Sequence, residues 1–150
     1  MPSKAHNLFL QYKRQLIHEL GPKGLADDEI NKIGKREFGV HWGGAVASDR
    51  VKLQPNHYYI VNTSGHSGRG IHWLALYTTK SSAYIWDSYD RSVKRLVPSL
   101  VKAIGKHGYH LHDTEHRPDQ VGFTSQVCGD DSLAFLLVVR DLGIRAARHV

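Results

Sequence analysis

The C-terminal third of the chain contains the segment that most constrains the fold. Every residue from Leu133 to Val139 is apolar, and the surrounding stretch 130–142 has strong helical character. A helix that is apolar on all sides has no polar face to turn toward water, so it is buried on all sides. We therefore expect this helix to lie at the centre of the fold, with the other elements packed around it.

Two helices are predicted before the first strand. Apolar residues recur at helical spacing within Lys4–Leu20, and Gly21-Pro22 is a typical helix end. A second helix is predicted over residues 26–33, with acidic residues in its first turn, near the positive end of the helix dipole. Residues 38–54 are irregular and contain glycines, and they leave room for a short strand.

The middle of the chain is rich in strand-forming residues. Segments 57–63, 71–79 and 83–87 predict three strands, and 109–113 predicts a fourth. Between them, 91–106 has helical period, with Pro98 expected to kink or split the helix. Residues 145–150 are predicted to form a basic tail. Helices before and after a run of strands favour an α+β fold, in which a mixed or antiparallel sheet packs on the central helix.

Composition narrows the class of protein. A length of 150 residues, 41% of them hydrophobic, fits a single domain spanning 1–150. No apolar run approaches the roughly 20 residues of a membrane span, and the first residues have no apolar core of signal-peptide type. The single cysteine excludes an internal disulfide and a cysteine-rich zinc site, so we expect a reducing compartment.

Three residues, in chain order, suggest a cysteine hydrolase. His72 lies in one predicted strand, Asp87 ends the next, and Cys128 stands where a polar loop gives way to the apolar helix. A thiol nucleophile needs a base, and the base needs an acid to orient it. If the two strands pair, His72 and Asp87 lie side by side. Each residue also has an ordinary structural interpretation, so the hypothesis depends on their order.

The environment of Cys128 has opposing effects on its ionisation. A thiol at a helix start is favoured as thiolate, whereas Asp130 and Asp131 oppose thiolate formation unless they point away. The backbone N–H of Cys128 and a glutamine side chain are candidate oxyanion donors. Gln120 and Gln126 are the glutamines in the preceding loop.

Two short segments resemble a known family. Residues 60–65 (Ile-Val-Asn-Thr-Ser-Gly) and 70–75 (Gly-Ile-His-Trp-Leu-Ala) resemble the segment around the catalytic histidine of the adenovirus maturation proteinases, the adenains. His-Trp, a strand ending in an acidic residue, and Cys-Gly opening a buried helix form a pattern shared with the wider Ulp/SENP-like cysteine peptidases. The resemblance covers about residues 58–137.

The resemblance implies a papain-like fold in permuted order. It assigns His72 as general base, Asp87 as the acidic partner in place of the adenoviral Glu, Cys128 as nucleophile and Gln120 as the oxyanion donor. It implies an endopeptidase that matures viral capsid and core precursors at small-residue, glycine-containing sites in the virion and the infected host cell. The chemistry requires no cofactor. Stimulation by DNA or a peptide is implied, without a disulfide tether, since the chain has no second cysteine.

Other functions remain open. A deubiquitinase or deSUMOylase-like isopeptidase uses the same chemistry, and a narrow tunnel lined by Trp42 or Trp73 would favour it. A metal site is a further hypothesis, because His110, His112 and His116 include two residues on one face of a strand.

The third alternative is a nucleic-acid-binding module without catalysis. The formal net charge is +6 and the pI is about 9.5, which suits contact with polyanions. Its candidate surface is the basic face of residues 91–106 together with Arg140, Arg145 and Arg148. The ordinary interpretation of such a face is a solvated helix surface.

Overall fold

A five-stranded mixed sheet separates two groups of helices. The computed structural model describes residues 3–63, 72–88, 92–113 and 128–150. The described helices are α1 (Lys4–Leu20), α2 (Asp27–Phe38), α3 (Val93–Leu96), α4 (Pro98–Lys106), α5 (Cys128–Leu142) and α6 (Ile144–Ala147), with a 3-10 turn at Gly39–His41. The described strands are β1 (Trp42–Ala47), β2 (Tyr58–Asn62), β3 (Trp73–Thr78), β4 (Ser82–Trp86) and β5 (His110–Asp113).

The strands lie in the sheet in chain order, β1 to β5. The two inner pairings, β2–β3 and β3–β4, are antiparallel, and the outer pairings, β1–β2 and β4–β5, are parallel. The expected α+β fold with a mixed sheet is therefore confirmed. A parallel pair needs a crossover connection, and helices α3 and α4 belong to the connection between β4 and β5.

Alternation along the strands gives the sheet two apolar faces. One face, with Ile60, Ala75 and Trp86, packs against α1, α2, α5 and α6. The other face, with Val61 and Leu76 among its residues, packs against α3 and α4. Successive strand residues point to opposite faces of the sheet. Because helices cover both faces, the inner strands are almost continuously buried.

Helix α5 is the central helix that the sequence predicts. Its residues from Cys128 to Val139 are all buried, and it packs on α1, on β3 and on α6. Phe135 stacks on Trp86 of the sheet with ring centroids 4.8 Å apart. The helix begins at Cys128, as predicted for a buried helix with the thiol at its start, and the thiol lies in its first turn.

Several element boundaries differ from the prediction. Helix α2 continues past residue 33 to Phe38. Gly34 lies within the helix, against the Trp42 indole, and does not end it. The helix ends at Gly39, which has a φ of 57°. The irregular region after it contains β1. Pro98 splits the helical segment 91–106 as expected, and it occupies the first turn of α4, where proline is well tolerated.

The C-terminal end, predicted as a basic tail, contains a short helix that packs on the core. Residues Ile144–Ala147 form α6, with Ala147 and Val150 buried against the core and Arg145 and Arg148 exposed. None of the helices in the described ranges is both long and apolar enough to cross a membrane.

Candidate active site

His72 and Asp87 form a buried pair at one end of the sheet. Nε2 of His72 lies 2.5 Å from Oδ1 of Asp87, and the two side chains are 5% and 1% exposed. An ionisable pair is rarely so fully removed from solvent unless each partner satisfies the other. The carboxylate oxygen accepts from the imidazole N–H, and this hydrogen bond fixes the ring orientation and its tautomer.

The β3–β4 hairpin brings the pair together. Its antiparallel register pairs Ala75 with Trp86. The residues just before β3 and just after β4 therefore lie at the same end of the hairpin, and His72 and Asp87 are those residues. This is the side-by-side arrangement that the sequence predicts for two paired strands.

The thiol of Cys128 lies against the residue next to His72. The backbone N–H of Trp73 donates to Sγ of Cys128 at 3.3 Å, and Cys128 is 5% exposed. The contact joins the start of α5 to the start of β3. The structure thus brings all three members of the predicted His72, Asp87 and Cys128 trio to one buried region, although they are far apart in the chain.

Trp73 anchors this region through three hydrogen bonds. Besides its bond to Cys128, its carbonyl accepts from the Ser132 hydroxyl at 3.1 Å, and its indole N–H donates to the Leu25 carbonyl at 3.1 Å. At Gly129, an added Cβ would lie 3.3 Å from Leu25 and 3.4 Å from Trp73, so the packing leaves little spare space. The β3 end, the α1–α2 connection and α5 are therefore held together around one tryptophan.

Sequence reasoning missed two of these residues, Leu25 and Ser132. Ser132 follows Cys128 by one helical turn, so both lie on the same face of α5. That spacing is the signal that could have identified Ser132. Nothing in the sequence around Leu25 indicates that its carbonyl accepts a bond from an indole.

Burial dominates the ionisation of the thiol. Desolvation raises the pKa of Cys128, and the charge of Asp131 raises it further. Hydrogen bonds from the backbone N–H groups of Trp73, Gly129 and Cys128 act in the opposite direction but are outweighed. The expectation that the helix start favours thiolate is therefore wrong for the net effect, because the cost of desolvating the charge is larger than the helix-terminus effect.

The two acids that follow Cys128 have different surroundings. Asp131 forms an ion pair with Lys13 of α1 at 2.9 Å. Asp130 is fully buried, and within the described residues neither of its carboxylate oxygens has a hydrogen-bond partner beyond its own backbone. Burial, together with the charge of Asp131, raises the pKa of Asp130 to about 7. The negative charge near Cys128 is thus partly compensated by Lys13 and partly reduced by protonation of Asp130.

The candidate oxyanion glutamines, Gln120 and Gln126, lie outside the described residues. The other predicted donor is the backbone N–H of Cys128, which is at the first turn of α5 and interacts with its own sulfur. Its position at a helix N-terminus is suited to a developing negative charge.

Trp42 and Trp73 lie beside opposite ends of β2. Trp42 pairs with Tyr58 at the start of β2, whereas Trp73 pairs with Asn62 at its end. The Trp42 indole N–H donates to Asn31 at 3.0 Å, and Trp73 is only 9% exposed. The isopeptidase alternative stays a prediction.

Two of the three histidines of the hypothetical metal site, His110 and His112, lie within the described residues. The rings of His110 and His112 lie on one face of β5 with centroids 4.8 Å apart, and His112 stacks on Tyr84. His116 lies outside the described residues. Among the described residues, no group of three or more histidine, cysteine or acidic side chains is arranged to hold a metal ion.

The expected basic surface is divided between two sides of the molecule. Helices α3 and α4, with Lys94 and Lys102, pack on one face of the sheet, and α5 and α6 pack on the other. Arg140 is already paired, with Glu37 at 2.8 Å and Asp141 at 2.9 Å. The basic residues named for this surface therefore lie on two sides of the sheet, and nucleic-acid binding stays a prediction.

The arrangement as a whole has the parts of a nucleophilic site. It contains a thiol, an imidazole held by a carboxylate, and a backbone N–H at a helix start. None of the protein-family models matches the sequence, and no curated protein matches it. A functional assignment therefore depends on this geometry and on the residue pattern around it.

Proposed function

We propose that this protein is a cysteine peptidase with a Cys128–His72–Asp87 triad. The observation that carries the proposal is the buried 2.5 Å hydrogen bond between His72 and Asp87 at the position where Trp73 contacts the Cys128 thiol. A histidine oriented by a buried carboxylate next to a cysteine is the arrangement that nucleophilic catalysis needs.

In the proposed first step, Cys128 attacks the carbonyl carbon of the scissile peptide bond. Nε2 of His72 is hydrogen-bonded to Asp87, so the other ring nitrogen, Nδ1, takes the proton from the thiol. The sulfur–carbon bond forms, and the negative charge develops on the carbonyl oxygen, which the Cys128 backbone N–H and the Gln120 side chain stabilise. His72 then gives its proton to the leaving amine, and the peptide C–N bond breaks to leave a thioester.

In the proposed second step, water hydrolyses the thioester. His72 takes a proton from the attacking water, and the same oxyanion donors stabilise the second tetrahedral intermediate. Its collapse breaks the carbon–sulfur bond, releases the carboxylic acid product and returns the proton to Cys128. Asp87 remains ionised throughout and stabilises the imidazolium that forms in each step.

The raised pKa of Cys128 bears on how the thiol is activated. Because burial favours the neutral thiol, the resting thiol in the proposal carries its proton. Proton transfer then accompanies the attack. Substrate or an activator that brings positive charge or hydrogen-bond donors to the thiol would favour the thiolate.

The fold supports the same class. A papain-like peptidase in permuted order has its histidine before its cysteine, with the cysteine at the start of a helix buried against a sheet. In this chain His72 precedes β3, Asp87 follows β4, and Cys128 begins α5. The adenain-like pattern of residues 60–65 and 70–75 adds to this argument, and we extend the proposal to that permuted lineage.

The resemblance also supplies the substrate class and setting of the proposal. Substrates would be viral capsid and core precursors, cleaved at small-residue, glycine-containing sites in the virion and the infected host cell. DNA or a peptide would act as activator. The exposed lysines of α3 and α4 favour DNA at that surface, because no ion pair among the described residues neutralises their charge, in contrast to that of Arg140.

The proposal is tested with the purified chain and a peptide library that contains glycine-glycine, glycine-X and alanine-X bonds. Wild type is expected to cleave glycine-containing peptides, and Cys128→Ala and His72→Ala are expected to reduce cleavage to background while retaining the circular dichroism spectrum of wild type. Assays run with and without duplex DNA identify the activator. Cleavage that survives Cys128→Ala would overturn the proposal.

The same preparation separates the related functions. Cleavage after the terminal glycines of a ubiquitin-like fusion, without cleavage of the library, would indicate the isopeptidase instead. Salt-sensitive DNA binding without thiol-dependent cleavage in any condition would indicate a nucleic-acid-binding module.

A further inference from the structure

Two side chains of α5, one helical turn apart, bind the backbone of a single residue in β3. Sγ of Cys128 accepts the N–H of Trp73 at 3.3 Å, and Oγ of Ser132 donates to the Trp73 carbonyl at 3.1 Å. The β3–β4 register ends at the Ala75–Trp86 pair, two residues after Trp73. The start of β3 is held on one side by β2, where Asn62 pairs with Trp73 and the Thr63 N–H donates to the His72 carbonyl at 3.1 Å. On the other side, the N–H and the carbonyl of Trp73 are held by helix α5.

The two bonds differ in strength. A thioether or thiol sulfur is a weak acceptor, whereas a hydroxyl-to-carbonyl bond is an ordinary hydrogen bond. Ser132 is fully buried, so its bond is not exchanged with water. Of the two, the Ser132 bond is therefore the one that can fix the position of Trp73 when Cys128 ionises or reacts.

Fixing Trp73 also fixes the residue before it. The peptide bond between His72 and Trp73 is planar, so the Trp73 N–H and the His72 carbonyl group move as one unit. The Trp73 N–H already points at the Cys128 sulfur. A shift of the Trp73 backbone would move the His72 imidazole relative to the thiol, and misplacement of about 1 Å can cost roughly a hundredfold in rate.

We infer that Ser132 is a positioning residue of the proposed active site, which holds Trp73, and through it His72, in register with the Cys128 thiol. The inference rests on the proposed function, because it assigns a role within the same triad. Ser132 does not touch the reacting atoms in this assignment. It acts through the backbone of Trp73.

A structural role alone would have different consequences. A buried hydroxyl needs a hydrogen-bond partner wherever it lies, and losing such a bond lowers stability without altering chemistry elsewhere. Thr78 provides the matched control, since it is a buried residue at the opposite end of β3 and its hydroxyl donates to the Gln54 carbonyl at 2.5 Å. Thr78→Val removes that hydroxyl far from the triad.

The experiment measures the rate of Cys128 alkylation by iodoacetamide from pH 5 to pH 10 in the full chain. The chain has one cysteine, so the reaction reports a single site. The part of the rate that is lost in His72→Ala measures the coupling between imidazole and thiol. In Ser132→Ala we expect that His72-dependent part to fall about tenfold or more, while Thr78→Val retains it and both variants lose thermal stability.

A second pair of variants guards against a failure of Ser132→Ala to fold. Ser132→Thr and Ser132→Val add the same branched bulk, but only threonine retains the hydroxyl. The threonine variant is expected to keep the His72-dependent rate and the valine variant to lose it. Equal His72 dependence in wild type, Ser132→Ala and Ser132→Val would overturn the positioning role and leave the proposed triad intact. An alkylation rate in wild type that is independent of His72 would overturn both proposals.

Discussion

Nε2 of His72 and Oδ1 of Asp87 lie 2.5 Å apart, and both side chains are almost completely excluded from solvent. In such surroundings a hydrogen bond to a charged group is strong, and leaving either partner alone is costly. The pair therefore contributes to orientation of the imidazole and to stability of this end of the sheet.

Replacing Asp87 with Asn is expected to reduce activity without abolishing it. Asparagine keeps the size of the side chain but loses the negative charge that stabilises an imidazolium and selects its tautomer. We expect kcat/KM on a cleaved peptide to fall by about 10²-fold or more, with Cys128→Ala at background. The His72-dependent part of Cys128 alkylation serves as the substrate-independent measurement.

Asp87→Ala gives the matched comparison. It removes both the charge and the hydrogen bond, so the free energy of unfolding is expected to fall by about 3–5 kcal/mol relative to wild type. Asp87→Ala is therefore expected to be less stable than Asp87→Asn. Wild-type activity in Asp87→Asn would show that the carboxylate has no part in catalysis.

Asp131 and Lys13 are expected to tune the thiol in opposite directions. The charge of Asp131 raises the pKa of Cys128, and Lys13 forms an ion pair with Asp131. Asp131→Asn is therefore expected to lower the pKa of Cys128 and to increase its alkylation rate at pH 7 by up to about tenfold, because the thiolate is the reactive form. The pH profile of alkylation is the measurement.

Lys13→Met supplies the control of opposite sign. It leaves the Asp131 charge without its partner, so the pKa of Cys128 is expected to rise and the alkylation rate at pH 7 to fall. A change in the same direction in both variants would mean that the rate follows loss of local packing rather than charge.

The hairpin that joins His72 to Asp87 could be predicted from sequence. Two adjacent strand-forming segments with a short connection favour antiparallel pairing, and pairing places the residues at their open ends together. The central helix could also be predicted, because an apolar run without a polar face leaves no alternative to burial.

The bond from Ser132 to Trp73 could not be predicted in the same way. Helical spacing shows that Ser132 and Cys128 share a face, but which strand carbonyl lies opposite depends on how α5 crosses the sheet. The ionisation of Cys128 is a similar case. The helix start is visible in the sequence, whereas the burial that outweighs it comes from tertiary packing with β3.

Two glycines in helices are expected to respond oppositely to alanine. At Gly34 in α2, a Cβ would overlap the Trp42 indole, whereas at Gly105 in α4 no described atom outside the neighbouring helix backbone lies within 4 Å of an added Cβ. Gly34→Ala is expected to lower the free energy of unfolding by about 1–3 kcal/mol through overpacking. Gly105→Ala is expected to raise it by up to about 1 kcal/mol through helix propensity. Urea denaturation of both variants measures these changes, and destabilisation by Gly105→Ala would contradict the structure at that position.

Asp130 is expected to make the protein less stable as pH rises toward neutrality. Burial raises the pKa of its carboxyl from 3.8 to about 7 in the folded state. Between these two values the folded protein holds a proton that the unfolded chain has released, so rising pH favours unfolding. The loss is complete above pH 7 and amounts to up to about 4 kcal/mol. The charges that act on this carboxyl are those of Asp131, Lys13 and Glu29.

Asp130→Asn isolates this contribution. The amide has nearly the same size and does not ionise, so the difference in melting temperature between wild type and the variant is expected to shift in favour of the variant from pH 5 to pH 8. Any fixed cost of burying the amide is the same at every pH and cancels from that slope. Asp28→Asn, at an exposed acid on α2, is the control, and its melting curve is expected to run parallel to wild type. A melting temperature of Asp130→Asn that ran parallel to wild type from pH 5 to pH 8 would contradict the raised pKa of the Asp130 carboxyl.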